Sequence, residues 1–262
     1  MAPTKMPLTV FTKPWREMPL PELGDFVRGM GFDGVELPVR PGYQVTPEEV
    51  AKLPDAARIL SDRGVKIGSV AGPFDEPTIA ACAEAGVPII RDCPVIPKDM
   101  SYLEGIEALQ QEWDALLPLL EKRGVALGIQ NHAGRCIPAG MHLLHAVGKY
   151  DPASVCAVWD AGHNGVEGEQ VDLALDIVWS HLRLVNLKSA YWRRTNPPDA
   201  ETAEWRIHWT TGRRGRANWP WVLRELAERG YAGDLCFSAE YAEHDRVNEL
   251  IVEDVRYVRS LL

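Results

Sequence analysis

Five times along this chain a stretch with helical spacing ends in glycine, and a short apolar run follows at once: "GMGFDGVEL", "DRGVKIGSV", "EAGVPIIRD", "KRGVALGIQ" and "ERGYAGDLCFS". Gly31, Gly64, Gly86, Gly124 and Gly230 fit the left-handed residue that closes a helix before a strand begins. Helix and strand in strict alternation demand a parallel sheet with helices packed on it. The apolar runs number eight, at about 8–11, 33–38, 65–70, 87–91, 125–130, 155–160, 183–188 and 234–240, each followed by a helix candidate. Eight such units in 262 residues point to a single (β/α)8 barrel domain over 1–262, with a long loop after the seventh strand. The rival, an open doubly wound sheet, lacks support because G-x-G-x-x-G and G-x-x-x-x-G-K-[ST] are both absent.

The connecting segments carry their own signals. "TPEE" at 46–49 combines Thr46 as an expected N-cap, Pro47 in the first helical position and Glu49 three residues on. Leu103, Ile106, Trp113, Leu116, Leu117 and Leu120 recur at helical spacing, as do Val247, Leu250, Ile251, Val255, Val258 and Leu261. Asn218 is placed to cap a helix that Gly230 ends.

Composition narrows the function classes. Apolar residues make up 46% and charged residues 25%, enough for a sizeable core. A net charge of −9 argues against a broad nucleic-acid footprint. No apolar run approaches the ~18 residues a membrane span needs, and "MAPTKMPLTVF" lacks the long apolar core of a signal peptide. The expected location is the cytoplasm. Five scattered cysteines without a C-x-x-C pair suit packing better than disulfides or structural zinc.

In a barrel of this kind the chemistry sits where the strands end. Those ends bring up Glu36, Arg91, Gln130 with His132, Asp160 with His163, Asn186 with Lys188, and Glu240. Strand parity puts Cys156, Val158 and Asp160 on one face, and Cys236, Ser238 and Glu240 on another; Trp159 and Phe237 fall opposite, toward the helices. Taken alone, each polar residue is a loop cap or an ion-pair partner as readily as a functional group. Together, Gln130, Asp160, Asn186 and Glu240 are expected to converge, and oxygen donors so arranged suit Mg²⁺ or Mn²⁺. The segment 189–217 is too long for an ordinary barrel loop. Its arginines and its Trp192, Trp205 and Trp209 suit a lid over an acidic or sugar ligand, and equally a solvated loop or a homodimer contact.

At these residues the chain resembles the xylose-isomerase-like TIM barrel superfamily of sugar isomerases and epimerases, which also contains endonuclease IV. "GFDGVELPVRPG", "GIQNHAG", "VWDAGHNGVEGE", "LVNLKSAYW" and "WPWVLRELAERGYAGDLCFSAEY" carry the resemblance, in order and over nearly the whole chain. It implies a divalent metal held by Glu, Asp, His and Glu from strands five to eight. Asp160 and Glu240 keep the expected types, while Gln130 stands where Glu is usual and Asn186 where His is usual. His132, His163 and Lys188 match positions near substrate. His208 in the long loop is a candidate to replace the absent histidine, and Glu36, Arg91, Trp192 and His208 are candidate substrate contacts.

The replacements change the expected chemistry. Gln130 cannot serve as a base, since a carboxamide does not titrate usefully. With two anionic ligands left, Mn²⁺ or Mg²⁺ should be held weakly or not at all. The leading expectation is an isomerase or epimerase acting on a sugar or keto-sugar by metal-assisted proton abstraction next to a carbonyl. There Glu240 is the base, and His163, His132 and Lys188 assist. A keto-sugar lyase or dehydratase working by single-base β-elimination is the alternative. A metal-free carbohydrate-binding protein is a third, and DNA repair of the endonuclease IV kind ranks last. The expected partner is a small sugar, with neither nucleic acid nor membrane.

Overall fold

The computed structural model describes residues 6–262, and the first five residues of the N-terminal stretch lie outside it. Eight parallel strands close into a barrel: β1 (Leu8–Phe11), β2 (Gly34–Pro38), β3 (Lys66–Ala71), β4 (Ile89–Asp92), β5 (Ala126–Gln130), β6 (Val155–Asp160), β7 (Leu182–Leu187) and β10 (Leu235–Phe237). They follow chain order around the ring, and β10 closes on β1 with Thr9 opposite Cys236. The expected barrel is present.

Around it pack α1 (Leu20–Met30), α2 (Leu53–Ser61), α3 (Glu76–Ala85), α4 (Tyr102–Arg123), α5 (Gly140–Val147), α6 (Ala161–Glu167), α7 (Val171–Val178), α8 (Trp219–Glu228) and α9 (Val247–Arg259). The five glycines of the sequence units all have φ between +66° and +96°. That region costs any residue with a Cβ about 1 kcal/mol or more. Capping follows the sequence at α8, where Asn218 accepts from the Trp221 N–H, and at α4, where Ser101 and Glu104 form a reciprocal box. Thr46 departs from expectation. Its side chain caps nothing, and Pro47–Lys52 forms a 3-10 helix kinked at Glu49. Pro54 has no N–H to give the Val50 carbonyl, which disfavours a continuous α-helix from 47 through 54.

Two apolar clusters divide along strand parity. Phe11, Ala71, Ile89, Ala126, Cys156, Val158, Leu184 and Cys236 fill the barrel interior. Trp159 and Phe237 join the larger layer between strands and helices. Both are fully buried, and burying a large apolar side chain contributes about 1.5–3 kcal/mol.

The segment 189–217 is ordered rather than a loop. β8 (Ser189–Arg194) and β9 (Trp205–Thr210) pair antiparallel as a hairpin outside the barrel, with Ala190 opposite Trp209. Its base is tied down on both sides. The Arg216 N–H donates to Ala190 O, the Ala242 N–H to Trp209 O, and the Gly212 N–H to the buried carboxylate of Asp254. Among the described residues, no helix is long and apolar enough to cross a membrane.

Candidate active site

Where the strands end, a cavity of about 260 Å³ is lined by Phe11, Lys13, Glu36, Arg40, Arg91, Asp92, Cys93, Gln130, His132, Asp160, His163, Asn186, Lys188, Cys236, Ser238 and Glu240. Nine of the eleven candidate site residues named from the sequence thus share one cavity. A larger depression of about 730 Å³ opens at the other end of the barrel, where the strands begin. Of its charged groups, Lys66 and Asp234 are paired at 3.3 Å and Arg183 donates to Pro152 O, and the polar convergence described below is absent there.

Asp160 ends β6 and caps α6. Its Oδ1 accepts from the N–H groups of Gly162 and His163 at 2.8 and 2.9 Å, and its Oδ2 accepts from Gln130 Nε2 at 2.9 Å. Burial pushes the Asp160 carboxyl up to about 6, against the pull of the Lys188 charge and of those backbone donors. Asn131 locks β5 to β6 by pairing with both backbone groups of Asp160. Gln130 is oriented by its donation to Asp160, which leaves its buried Oε1 without a partner; the buried Oδ1 of Asn186 has none either.

The two histidines are a matched pair. His163 Nδ1 accepts from the Ala133 N–H at 3.1 Å, so its proton sits on Nε2. That N–H is buried and unpartnered. His132 makes the opposite choice, with Nδ1 2.8 Å from the Ala133 carbonyl; Nδ1 then carries the proton and Nε2 a free lone pair. The rings lie 3.9 Å apart at their centroids. Burial, then the Lys188 and His132 charges, hold His163 well below the usual histidine range. Burial likewise lowers His132. Both imidazoles are neutral at physiological pH.

Glu240 reaches the cavity by a route that parity did not foresee. β10 stops at Phe237, and Ala239 turns the chain with φ +52°, a conformation that costs a residue with a Cβ free energy and recurs at functional sites. Two ammonium groups hold the carboxylate there: Lys188 Nζ lies 2.7 Å from Oε2, and Lys13 Nζ binds Oε1. Burial raises the Glu240 carboxyl, but Lys188 and Lys13 together outweigh it and hold it down at about 2. Lys188 is itself buried, with Nζ 3.7 Å from the centroid of the Trp209 ring.

Glu36 and Arg91 form a closed unit on the other side. Arg91 Nε donates to Glu36 Oε1 at 3.0 Å and Nη2 binds Oε2, while Ser69 Oγ donates to Oε1 at 3.1 Å.

Trp192 and His208 are the two candidates the structure keeps out. Trp192 is 40% exposed, and its Nε1–H donates to Val166 O on α6. The His208 ring packs on Tyr191. Hairpin alternation explains His208, which faces away from the Trp209 side; Trp192 shares the Trp209 face but pairs with Ile207, further toward the hairpin tip. Trp209 turns its ring to His163 and Lys188. Lys13, Arg40 and Asn131 are further site residues absent from the sequence reading. Lys13 follows the first strand's end, a position as informative as the others, and Asn131 stands between two residues already singled out.

The expected ligands Gln130, Asp160, Asn186 and Glu240 share the cavity, yet they do not fit a divalent cation. Both Asp160 oxygens already accept hydrogen bonds, and both Glu240 oxygens hold ammonium groups. Among the described residues, no group of three His, Cys, Asp or Glu is placed to hold a metal ion.

A family model described as xylose isomerase-like TIM barrel matches residues 25–261. By sequence, no curated protein matches the chain. Among solved structures, the 3-keto-D-glucoside 4-epimerase of E. coli superposes with a TM-score of 0.71 at 12% identity, covering 98% of this chain and 100% of that one. A D-psicose 3-epimerase gives 0.67 at 12% identity, over 98% and 99%. A probable 3-DHS dehydratase from Bacillus anthracis gives 0.72 at 13% identity, over 97% and 99%. Identities this low speak to the fold alone.

Proposed function

The chain belongs to the xylose isomerase-like TIM barrel family, and we propose that it is an enzyme that moves a proton at the carbon beside the carbonyl of a keto-sugar, as an isomerase or epimerase does. One observation carries the reading. The cavity pairs unpartnered acceptors, Gln130 Oε1 and Asn186 Oδ1, with an unpartnered donor, His163 Nε2–H, beside a single lysine-held carboxylate. Buried polar atoms are nearly always satisfied, so several open ones in one cavity are fitted to a ligand. Two acceptors suit sugar hydroxyls, and a donor next to an ammonium suits a carbonyl oxygen gaining negative charge.

The steps follow from those groups. The substrate carbonyl oxygen accepts from His163 Nε2–H and from Lys188. As Lys188 shares its ammonium with that oxygen, its hold on Glu240 weakens and Glu240 becomes a stronger base. Glu240 then takes the proton from the adjacent carbon, and the C–H electron pair moves to the carbonyl oxygen as an enolate. Return of a proton to the other face of the same carbon is epimerisation. Its return to the former carbonyl carbon, with an O–H proton passing between the oxygens, is isomerisation.

A second reading rests on the state of the carboxylates. Of the two carboxylates at the expected ligand positions, Asp160 is committed to capping α6, which leaves Glu240 to act as the base. One base suffices for β-elimination, in which a β-hydroxyl leaves as water with a proton from a neighbouring acid.

The test is solvent exchange. Ketoses incubated with the protein in D₂O should gain deuterium at the carbon beside the carbonyl, read by NMR, and Glu240→Gln should abolish the gain. Ketose binding without any exchange would transfer support to a carbohydrate-binding protein, whereas an alkene or a new carbonyl product would select elimination.

A further inference from the structure

Pulling a proton from carbon beside a carbonyl is eased by hydrogen-bond donors or positive charge at the developing oxyanion. In this cavity that charge is already present and covalently attached. Lys188 Nζ stands 2.7 Å from Glu240 Oε2, Lys13 Nζ binds the other oxygen of the same carboxylate, and Asp160 is spent on two backbone N–H groups and on Gln130. The two anions at expected ligand positions, Asp160 and Glu240, are therefore matched by two ammonium groups, and Arg40 and Asp92 add one charge of each sign. A dication entering this balance would displace an ammonium from Glu240 or stand beside it, and like charges at such range repel strongly even at the effective dielectric of a protein interior.

Lys188 is also fixed, as a preorganised charge must be. It is 7% exposed and lies over the face of Trp209, where cation–π attraction adds to the ion pair. Its carbonyl accepts from Trp219 Nε1–H at 3.2 Å. At the start of α6, Gly162 approaches so closely that a Cβ there would lie 2.8 Å from Lys188 Cβ. Aromatic face, carboxylate and helix backbone together hold the side chain.

We propose that the ammonium groups of Lys188 and Lys13 take the place of a divalent metal in this barrel, so that proton abstraction from the keto-sugar runs without a metal ion and Lys188 holds the oxyanion. The inference rests on the keto-sugar reading for its chemistry, though not for its charge argument.

Two measurements test it. In calorimetry, chelator-treated wild-type protein should take up no Mn²⁺ up to roughly millimolar concentration, whereas the Lys13→Met/Lys188→Met double variant, with Glu240 released, should gain measurable affinity. Deuterium exchange into ketoses should be unchanged by EDTA and should fall about 10²–10³-fold in Lys188→Met. Circular dichroism of that variant establishes that it folds, and Lys13→Met, a change at a half-exposed position, should give a smaller fall in the same direction. Stoichiometric Mn²⁺ binding by the wild type that Asp160→Ala and Glu240→Ala both remove would overturn the proposal. So would exchange that EDTA abolishes and Mn²⁺ restores. A wild type that exchanges no ketose under either condition would defeat the keto-sugar reading, and the calorimetry would still decide whether lysines have displaced the metal.

Discussion

On the β2 to β4 side of the barrel mouth, Glu36 and Arg91 close on each other through two parallel contacts, and Ser69 takes up further acceptor capacity of Glu36. On the β5 to β7 side, Gln130, His163 and Asn186 each keep one buried polar atom with no partner. Both sides are polar and both are buried, so burial and polarity alone do not distinguish them. What differs is the state of the hydrogen bonds. A buried charge pair with its bonds made organises the wall it stands in. An unmade bond in the same cavity costs about 1–3 kcal/mol of desolvation, and a ligand can return it. The closed side reads as structural support, and the open side as the place where substrate is held.

The sharpest way to break that comparison is through the base. Glu240→Gln should lower solvent exchange by roughly 10²–10⁴-fold, the range general-base catalysis covers, with a smaller loss of stability from the Lys188 ammonium it leaves unpaired; full retained activity would remove Glu240 from the chemistry. Arg91→Met should do the reverse. It strands a carboxylate that is 1% exposed, and breaking such a pair costs about 3–5 kcal/mol in denaturant unfolding. The Glu36→Leu/Arg91→Met double variant should recover much of that loss. A single variant as stable as wild type would show that the closed side is not structural. Asn186→Leu comes next in size. Its Oδ1 has no partner to lose, so stability should hold or rise, while KM for a keto-sugar should rise about tenfold, the equivalent of one hydrogen bond. An unchanged KM would take Asn186 out of the open side.

The division between what sequence carries and what it does not follows the same line. The barrel was legible because it is a repeated local event: helix, left-handed glycine, apolar strand, with parity dividing Val158 and Cys236 from Trp159 and Phe237. Strand-end residues were legible for the same reason. Pairing was not. Glu36 and Arg91 stand 55 positions apart and Lys13 and Glu240 stand 227 apart, and no periodicity links such partners. Segment 189–217 was misread because its arginines and prolines obscure the strand signal that Tyr191, Trp192, Trp205, Ile207 and Trp209 carry, and only cross-strand register shows that Trp209 faces the site while His208 does not. Glu240 reached the expected cavity through a left-handed Ala239, a backbone state that alanine does not announce in sequence.

The smallest effect expected bears on Lys13, the residue that joins the first strand's end to the open side. Glu240 is held at about 2 in the folded protein, below the unfolded carboxyl range near 4.3. Its stabilising contribution is therefore fully present above the unfolded value and is lost as pH falls toward 2. Lys13→Met removes one of the two ammonium groups. The folded carboxyl should then titrate at higher pH, its contribution should shrink, and the acid side of the unfolding curve should flatten across that window. The acid limb of kcat/KM should move upward in the same variant, because a base with one cationic partner fewer is protonated sooner. Lys13 is partly exposed, at 43% of its side chain, so the shift should be smaller than that from Lys188→Met. An acid limb that stays in place would mean that Lys188 alone sets the charge of Glu240. Lys13 would then be a surface ion pair, and the open side would run only from β5 to β10.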